Sequence, residues 1–263
     1  MPEIIQTTKN KKYKFIKSLQ QKKTRQNEGF FTVEGIKSVR DAVNSDADIE
    51  LVAMSEDFFK NDAGEFAERI PTLIVANEIF GGLCDTKTPQ GIIAVIKIKT
   101  QKQFCPDLSK LYIFCDNVSD PGNLGTIIRT ADAAGLGGVL LSKGCADLYS
   151  PKTVRSSMGS FFNIDIITDF DYSDLILLKS QGFRLYCGAL EDDSISYTDV
   201  DFTAPCVIIV GNEANGVSDV ILKESEHIII PIHGNAESLN VGVAASVLMY
   251  EAVRKREAKV SGK

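Results

Sequence analysis

An α/β protein built on a mostly parallel sheet with helices on both faces follows from two features of the chain. In its second half, apolar strand-like runs alternate with helical stretches, the order that makes parallel strands joined by crossover helices. Apolar residues are 44% of the 263, enough for the core such a sheet needs. The length suits one large or two modest domains. A polar stretch with a proline and no clear periodicity, TQKQFCPDLSK, divides the chain. The expected layout is a first domain over 1–98, a linker over 99–108 and a second domain over 109–263.

The first domain opens on a basic helix over 13–27. FFTVEG, 30–35, reads as a strand, and IKSVRDAVNS places Ile36, Val39, Ala42 and Val43 on one helical face. ELVAMS and TLIVAN are strands on either side of a helical DAGEFAERI. TPQGIIAVIKIK is a turn that enters a strongly apolar strand. In the second domain LYIFCD is a strand that leads into DPGNLGTIIRTADAAG, a turn and helix. GGVLLS is a strand, followed by a helix over 151–160. FNIDIIT is a strand, and DLILLKSQG is a helix stopped by glycine. FRLYCGAL, CVIIVG and HIIIPI are the remaining strands, and LNVGVAASVLMYEAVRKR is a long last helix.

Composition narrows the function. No apolar run approaches the ~20 residues of a membrane helix, and MPEIIQTTKNKKYK has no apolar segment behind it, so no secretory signal is expected. The six cysteines form no CxxC pair, which points to free thiols in a reducing cytoplasm. Two histidines without paired spacing make a zinc site unexpected. The net charge is -6, which by itself argues against nucleic acid. Its distribution is uneven, however: Lys9, Lys11, Lys12, Lys14, Lys17, Lys22, Lys23 and Arg25 run without an intervening acid, and Arg254, Lys255, Arg256 and Lys259 cluster near the other end. Taken alone, both runs are solvated helix faces.

Three loops carry candidate chemistry. In DPGNLGTIIRTADAAG, Pro121 fixes φ, Gly122 is free to take positive φ, and Asn123 suits an N-cap. Leu124, Ile127, Ile128 and Ala131 face the sheet. Thr126, Arg129, Thr130 and Ala133 take another face, where the Arg129 side chain leans back toward the turn. Neither GxGxxG nor GK[ST] is present. GNEANG, 211–216, is a strand-to-helix turn whose glycines allow close approach to a ligand, with Glu213 as a helix-entry carboxylate. In PIHGNAESLNVGVAAS, Ser238 and Asn240 flank Leu239 before an alanine-rich helix, and Ser238 could serve as its N-cap.

Together NLGTIIRTA, IIVGNEANGVS and IPIHGNAESLNVGVAAS resemble the three motifs of the SpoU, or TrmH-type, RNA ribose methyltransferases of the SPOUT superfamily. ADLYSPKTVRSSMGSFF, 146–162, is similar to the segment between that family's first and second motifs. RQNEGFFTVEGIKSVRDAV and TPQGIIAVI resemble the small α/β/α substrate-binding domain, itself similar to RNA-binding ribosomal proteins, that precedes many such catalytic domains. The resemblance implies a cytoplasmic, S-adenosylmethionine-dependent 2′-O-methyltransferase without a metal, working as a homodimer. It also implies a C-terminal trefoil-knotted, parallel-sheet SPOUT domain. The implied partner is RNA, ribosomal RNA in the first place and tRNA as the alternative. Carried over residue by residue, Arg129, Asn123, Glu213, Ser238 and Asn240 are catalytic. Leu190, Gly211, Gly216, Ile230, Ile232 and Leu239 hold the cofactor. Because the basic run from Lys9 to Arg25 adjoins that expected RNA-binding domain, Lys11, Lys12, Lys14, Lys22, Lys23 and Arg25 are expected to contact RNA, as is Arg155. Ala214 stands where many members carry glycine, and the acidic EDDSISY after Leu190 is less typical.

Methyl transfer to a ribose needs alignment, exclusion of water and a deprotonated or polarised hydroxyl. For Arg129 two roles stay open: transient proton acceptor, or clamp for a phosphate and the developing oxyanion. A non-catalytic RNA-binding module is the competing class. A nicotinamide enzyme lacks its glycine fingerprint here.

Overall fold

The computed structural model describes residues 4–62, 64–67, 70–101, 103–260 and 262. It divides into two compact units: Met1–Thr100 with Tyr149–Phe162, and Gln101–Leu148 with Asn163–Lys263. The expected second domain, 109–263, therefore lends an internal segment to the first unit.

The first unit contains β1 (Ile4–Ile5), α1 (Lys11–Ser18), α2 (Lys22–Glu28), β2 (Phe30–Glu34), α3 (Ile36–Val43), β3 (Ile49–Ser55), α4 (Glu56–Asp62), α5 (Gly64–Ala67), β4 (Thr72–Val75), α6 (Asn77–Phe80) and β5 (Ile92–Lys97). Strand order is β1-β4-β3-β5-β2. β5 runs antiparallel to both neighbours, and the other pairings are parallel. Both sheet faces are covered. On one side Tyr13, Ile16 and Leu19 meet Ala53, Val75, Ile93 and Val95. On the other, Val39 and Ala42 of α3 meet Val33, Val52, Met54 and Ala94.

The expected single helix over 13–27 is broken at 19–21. A break exposes carbonyls that a continuous helix would satisfy, and Arg25 answers it: its Nη1 donates to Leu19 O at 2.7 Å and Gln20 O at 2.8 Å. Arg25 is only 4% exposed. It is thus a structural clamp rather than the RNA contact expected of it.

The second unit holds β6 (Leu111–Cys115), α7 (Pro121–Ala133) and β7 (Gly138–Leu141). α8 (Pro151–Ser157), which follows in the chain, belongs to the first unit, where Val154 and half-buried Tyr149, Phe161 and Phe162 join the α3-side core. Then come β8 (Ile166–Ile167), α9 (Tyr172–Ser180), β9 (Arg184–Gly188), β10 (Ile195–Ser196), β11 (Cys206–Val210), α10 (Asp219–Leu222), β12 (Glu226–Ile229) and α11 (Val241–Val260). All seven strands are parallel, in the order β10-β12-β9-β11-β6-β7-β8. The central β6 and β11 are buried at every residue, as a sheet covered on both faces requires. Part of the expected linker is anchored: Phe104 packs edge-on against Tyr112 and Phe170, each with ring centroids 5.4 Å away.

Near its end α11 is fastened by its cations. Arg256 donates to Phe202 O and Ala204 O at 2.8 Å and to Ser109 O at 3.1 Å. Lys255 donates to the carbonyls of Thr198 and Val200. Among the described residues no helix is long and apolar enough to cross a membrane. Cys84, Cys115, Cys187 and Cys206 are buried free thiols.

Candidate functional site

The loops that follow β6, β9, β11 and β12 converge at the carboxyl ends of the parallel strands, where open α/β sheets bind ligands. At the start of α7, Asp120 rather than Asn123 is the N-cap: its Oδ1 accepts from Gly122 N at 2.7 Å and Asn123 N at 2.9 Å. Pro121 takes the first helical position, where its missing N–H has no bond to lose. Gly122 lies inside the helix instead of making a turn.

This shift frees the Asn123 side chain. Its Nδ2 donates to Glu213 Oε1 at 2.9 Å, and its Oδ1 accepts from Asn240 Nδ2 at 2.9 Å. Glu213 also accepts from Ser119 N and Oγ and from Asp120 N. Asn240 caps α11 with the other end of its amide, accepting from Gly242 N at 3.0 Å and Val243 N at 3.3 Å. Asn240, not Ser238, is therefore the cap. One chain of side-chain bonds joins all three motif loops. Burial pushes the Glu213 carboxyl up, but the Asn123 amide and the surrounding backbone N–H donors outweigh it and hold the group below its ordinary value.

The 211–216 loop closes on itself before the short α10. Asn212 and Gly216 exchange both backbone bonds, at 2.8 and 2.9 Å. Gly216 has φ 69°. A Cβ on Gly211 would stand 2.2 Å from Gly216 C and 2.4 Å from Val217 N, so only glycine fits. Asp116, 1% exposed, holds the far end: it accepts from Ser218 N at 2.7 Å, Tyr172 Oη at 2.7 Å and Asn117 Nδ2 at 2.8 Å. Neither Asp116 nor Ser119 was expected at the site. The only sequence cue for Asp120 was its place before Pro121, an N-cap followed by a first-turn proline.

These loops enclose a cleft of about 540 Å³, within the range of small-molecule sites. Leu190, Gly211, Gly216, Ile230, Ile232 and Leu239 line it, as do Glu213, Ser238 and Asn240. Glu191 and Glu237 add carboxylates, and among the described residues no lysine, arginine or histidine lines it. An apolar slot beside backbone amides suits an adenosine, and carboxylates without a competing cation suit a positively charged ligand. Arg129 does not line the cleft. It is exposed on α7, on the face where Thr130 meets Ser246 of α11 at 3.1 Å. In the first unit Lys11, Lys12, Lys14, Lys22 and Lys23 are exposed on α1 and α2. Arg155 is paired with Asp85 at 2.6 Å, both about half exposed. Among the described residues no His, Cys, Asp or Glu group could hold a metal ion.

Residues 110–250 match the SpoU rRNA Methylase family, and residues 10–94 match the MRM3-like substrate binding domain. The chain is 35% identical to the 23S rRNA (guanosine(2553)-2′-O)-methyltransferase RlmP of Bacillus subtilis, over 94% of this chain and 97% of that protein. The AdoMet-bound rRNA methyltransferase from Sinorhizobium meliloti superposes with a TM-score of 0.86 at 30% identity, over 96% of this chain and 97% of that one. The SpoU methyltransferase AviRb from Streptomyces viridochromogenes, in complex with AdoMet, gives 0.85 at 27%, over 95% and 99%.

Proposed function

The chain belongs to the SpoU rRNA methylase family, and from that premise we propose that it methylates the 2′-hydroxyl of a ribose in structured RNA, using S-adenosylmethionine. Ribosomal RNA is the favoured substrate, because both the similar B. subtilis protein and the family description name rRNA. The observation that carries the reading is the Glu213–Asn123–Asn240 chain beside a cleft lined with carboxylates and apolar groups. When bound, S-adenosylmethionine supplies an electrophilic methyl group on a cationic sulfur. Gly211 and Gly216 let backbone reach the ligand, and Leu190, Ile230, Ile232 and Leu239 give it an apolar bed. Glu213, Asn123 and Asn240 keep the three loops in register, and Ser238 offers a hydroxyl at the rim.

Arg129 serves as the clamp that stabilises the developing ribose oxyanion. A guanidinium keeps its proton, and Arg129 stands in water-accessible surroundings in the single chain. The reactive assembly is a cytoplasmic homodimer in which α7 and α11 meet a second copy. Support comes from Val243 and Tyr250, 48% and 52% exposed and two turns apart on α11. A monomer in sedimentation velocity at working concentration would refute the dimer. The C-terminal segment is proposed to thread as a trefoil knot, with β11 inserted between β6 and β9. RNA lies along the lysines of α1 and α2.

Single-turnover methyl transfer tests Arg129. Arg129→Ala should slow it roughly 100-fold or more, the size of a lost oxyanion donor, and Arg129→Lys should recover part of that. Wild-type rates in both variants would remove Arg129 from the reaction.

A further inference from the structure

One imidazole stands behind two walls of the cleft. His227, half-buried on β12, places Nδ1 2.6 Å from Asp193 Oδ1 and Nε2 2.9 Å from the Leu222 carbonyl. Asp193 lies on the loop after β9, whose Leu190 and Glu191 line the cleft. Leu222 ends α10 and lines the cleft itself.

Neutral imidazole has one N–H and one lone pair. A carbonyl can only accept. Asp193, 74% exposed, is held below its ordinary range by the His227 bond, so it also accepts. Both contacts are hydrogen bonds only when both ring nitrogens donate, which is the charged form. The bonds to Asp193 and to the Leu222 carbonyl raise the His227 pKa against the opposing effect of burial, and the Asp193 and Glu191 charges add to the rise. On the neighbouring β9, Cys187 is in register with His227 and is pushed by burial to about 12, so it stays neutral. β10 brings only Ile195 and Ser196 against β12. Glu226, the preceding residue, acts on Tyr186 and Arg184.

We propose that His227 is a positioning residue for the cofactor cleft: as an imidazolium it ties the Asp193 loop to the end of α10 and so holds Leu190 and Glu191 in place. The inference rests on reading the cleft as the S-adenosylmethionine site. A raised pKa means that the latch is complete below the ordinary histidine value, about 6.5, and is lost as pH rises through the folded value. Above it, one of the two acceptors faces a lone pair.

The test is calorimetry of S-adenosylmethionine with the full chain from pH 5.5 to 9, for wild type, His227→Gln and Asp193→Asn. The ligand's own amino group titrates in this window, so the quantity read is the wild-type to variant affinity ratio at each pH. We expect wild type to bind roughly three- to five-fold tighter than either variant at pH 6, the range of one partly exposed charged bond, and the ratio to fall to about one by pH 9. Asp193→Asn changes an exposed side chain and keeps the measurement meaningful if His227→Gln misfolds. Hydrogen-exchange protection of residues 191–194 should fall in wild type over the same pH range. A ratio that does not change with pH, or variants equal to wild type at pH 6, would overturn the positioning role alone. No binding by any chain, with the loop protection still following pH, would overturn the cofactor reading and the positioning role with it.

Discussion

Glu213 concentrates the organisation of the site in one carboxylate. Four donors converge on it from Ser119, Asp120 and Asn123, and an acceptor-only group is what four donors need. Because its folded pKa is depressed, the stability it contributes is present above the unfolded glutamate value, about 4.3, and is lost as pH falls through the folded value. Glu213→Gln turns one oxygen into an N–H₂ that faces other donors. We expect it to cost about 1 kcal/mol at pH 7, and the gap to wild type should close in urea titrations as pH is lowered toward 3. A gap of the same size at every pH would mean that the carboxylate's charge is not what the donors hold. Sequence reasoning could single out Glu213 because its loop motif is distinctive. It could not find Asp116, since a buried carboxylate at a strand end reads the same as a solvated one until Ser218 and Tyr172 are brought to it through space.

At the level of the element, basic clusters were the least legible part of the chain. Periodicity places the C-terminal cations on a helix but says nothing of the carbonyls beyond it. Arg256 and Lys255 turned out to satisfy the open backbone of 198–204 and Ser109. Arg256→Met keeps the length and removes the donors, leaving three carbonyls short of a partner. It should lower the urea midpoint by the equivalent of about 2 kcal/mol with the slope unchanged. An unchanged midpoint would show that water replaces the guanidinium at no cost. The break between α1 and α2 has the same origin, because no helical period marks where Arg25 turns inward to take up two carbonyls.

For the whole molecule, alternation of strands and helices made the parallel sheet readable, while strand order emerged only from the structure and the knotted threading is what the family resemblance implies. The proposed RNA-binding surface on α1 and α2 is best tested on the intact chain. Deleting residues 1–25 would strip Tyr13, Ile16 and Leu19 from the first unit's core. Changing Lys11, Lys12, Lys22 and Lys23 to Gln leaves that core alone. RNA affinity should then fall, and the slope of log affinity against log salt should flatten by about 3, as four lost phosphate contacts predict; an unaltered slope would move the RNA elsewhere. The units also share their chain in an unusual way. The backbone passes from one to the other at 100, at 148 and at 162. The front unit therefore cannot be exchanged as a cassette. A chimera that transplants 1–98 alone leaves Val154, Phe161 and Phe162 facing a foreign sheet, and a protease cut in the 99–108 connection still leaves the units tethered through the 149–162 segment. A change in the front unit's sheet therefore also meets side chains of a segment encoded between the first two motifs of the methyltransferase.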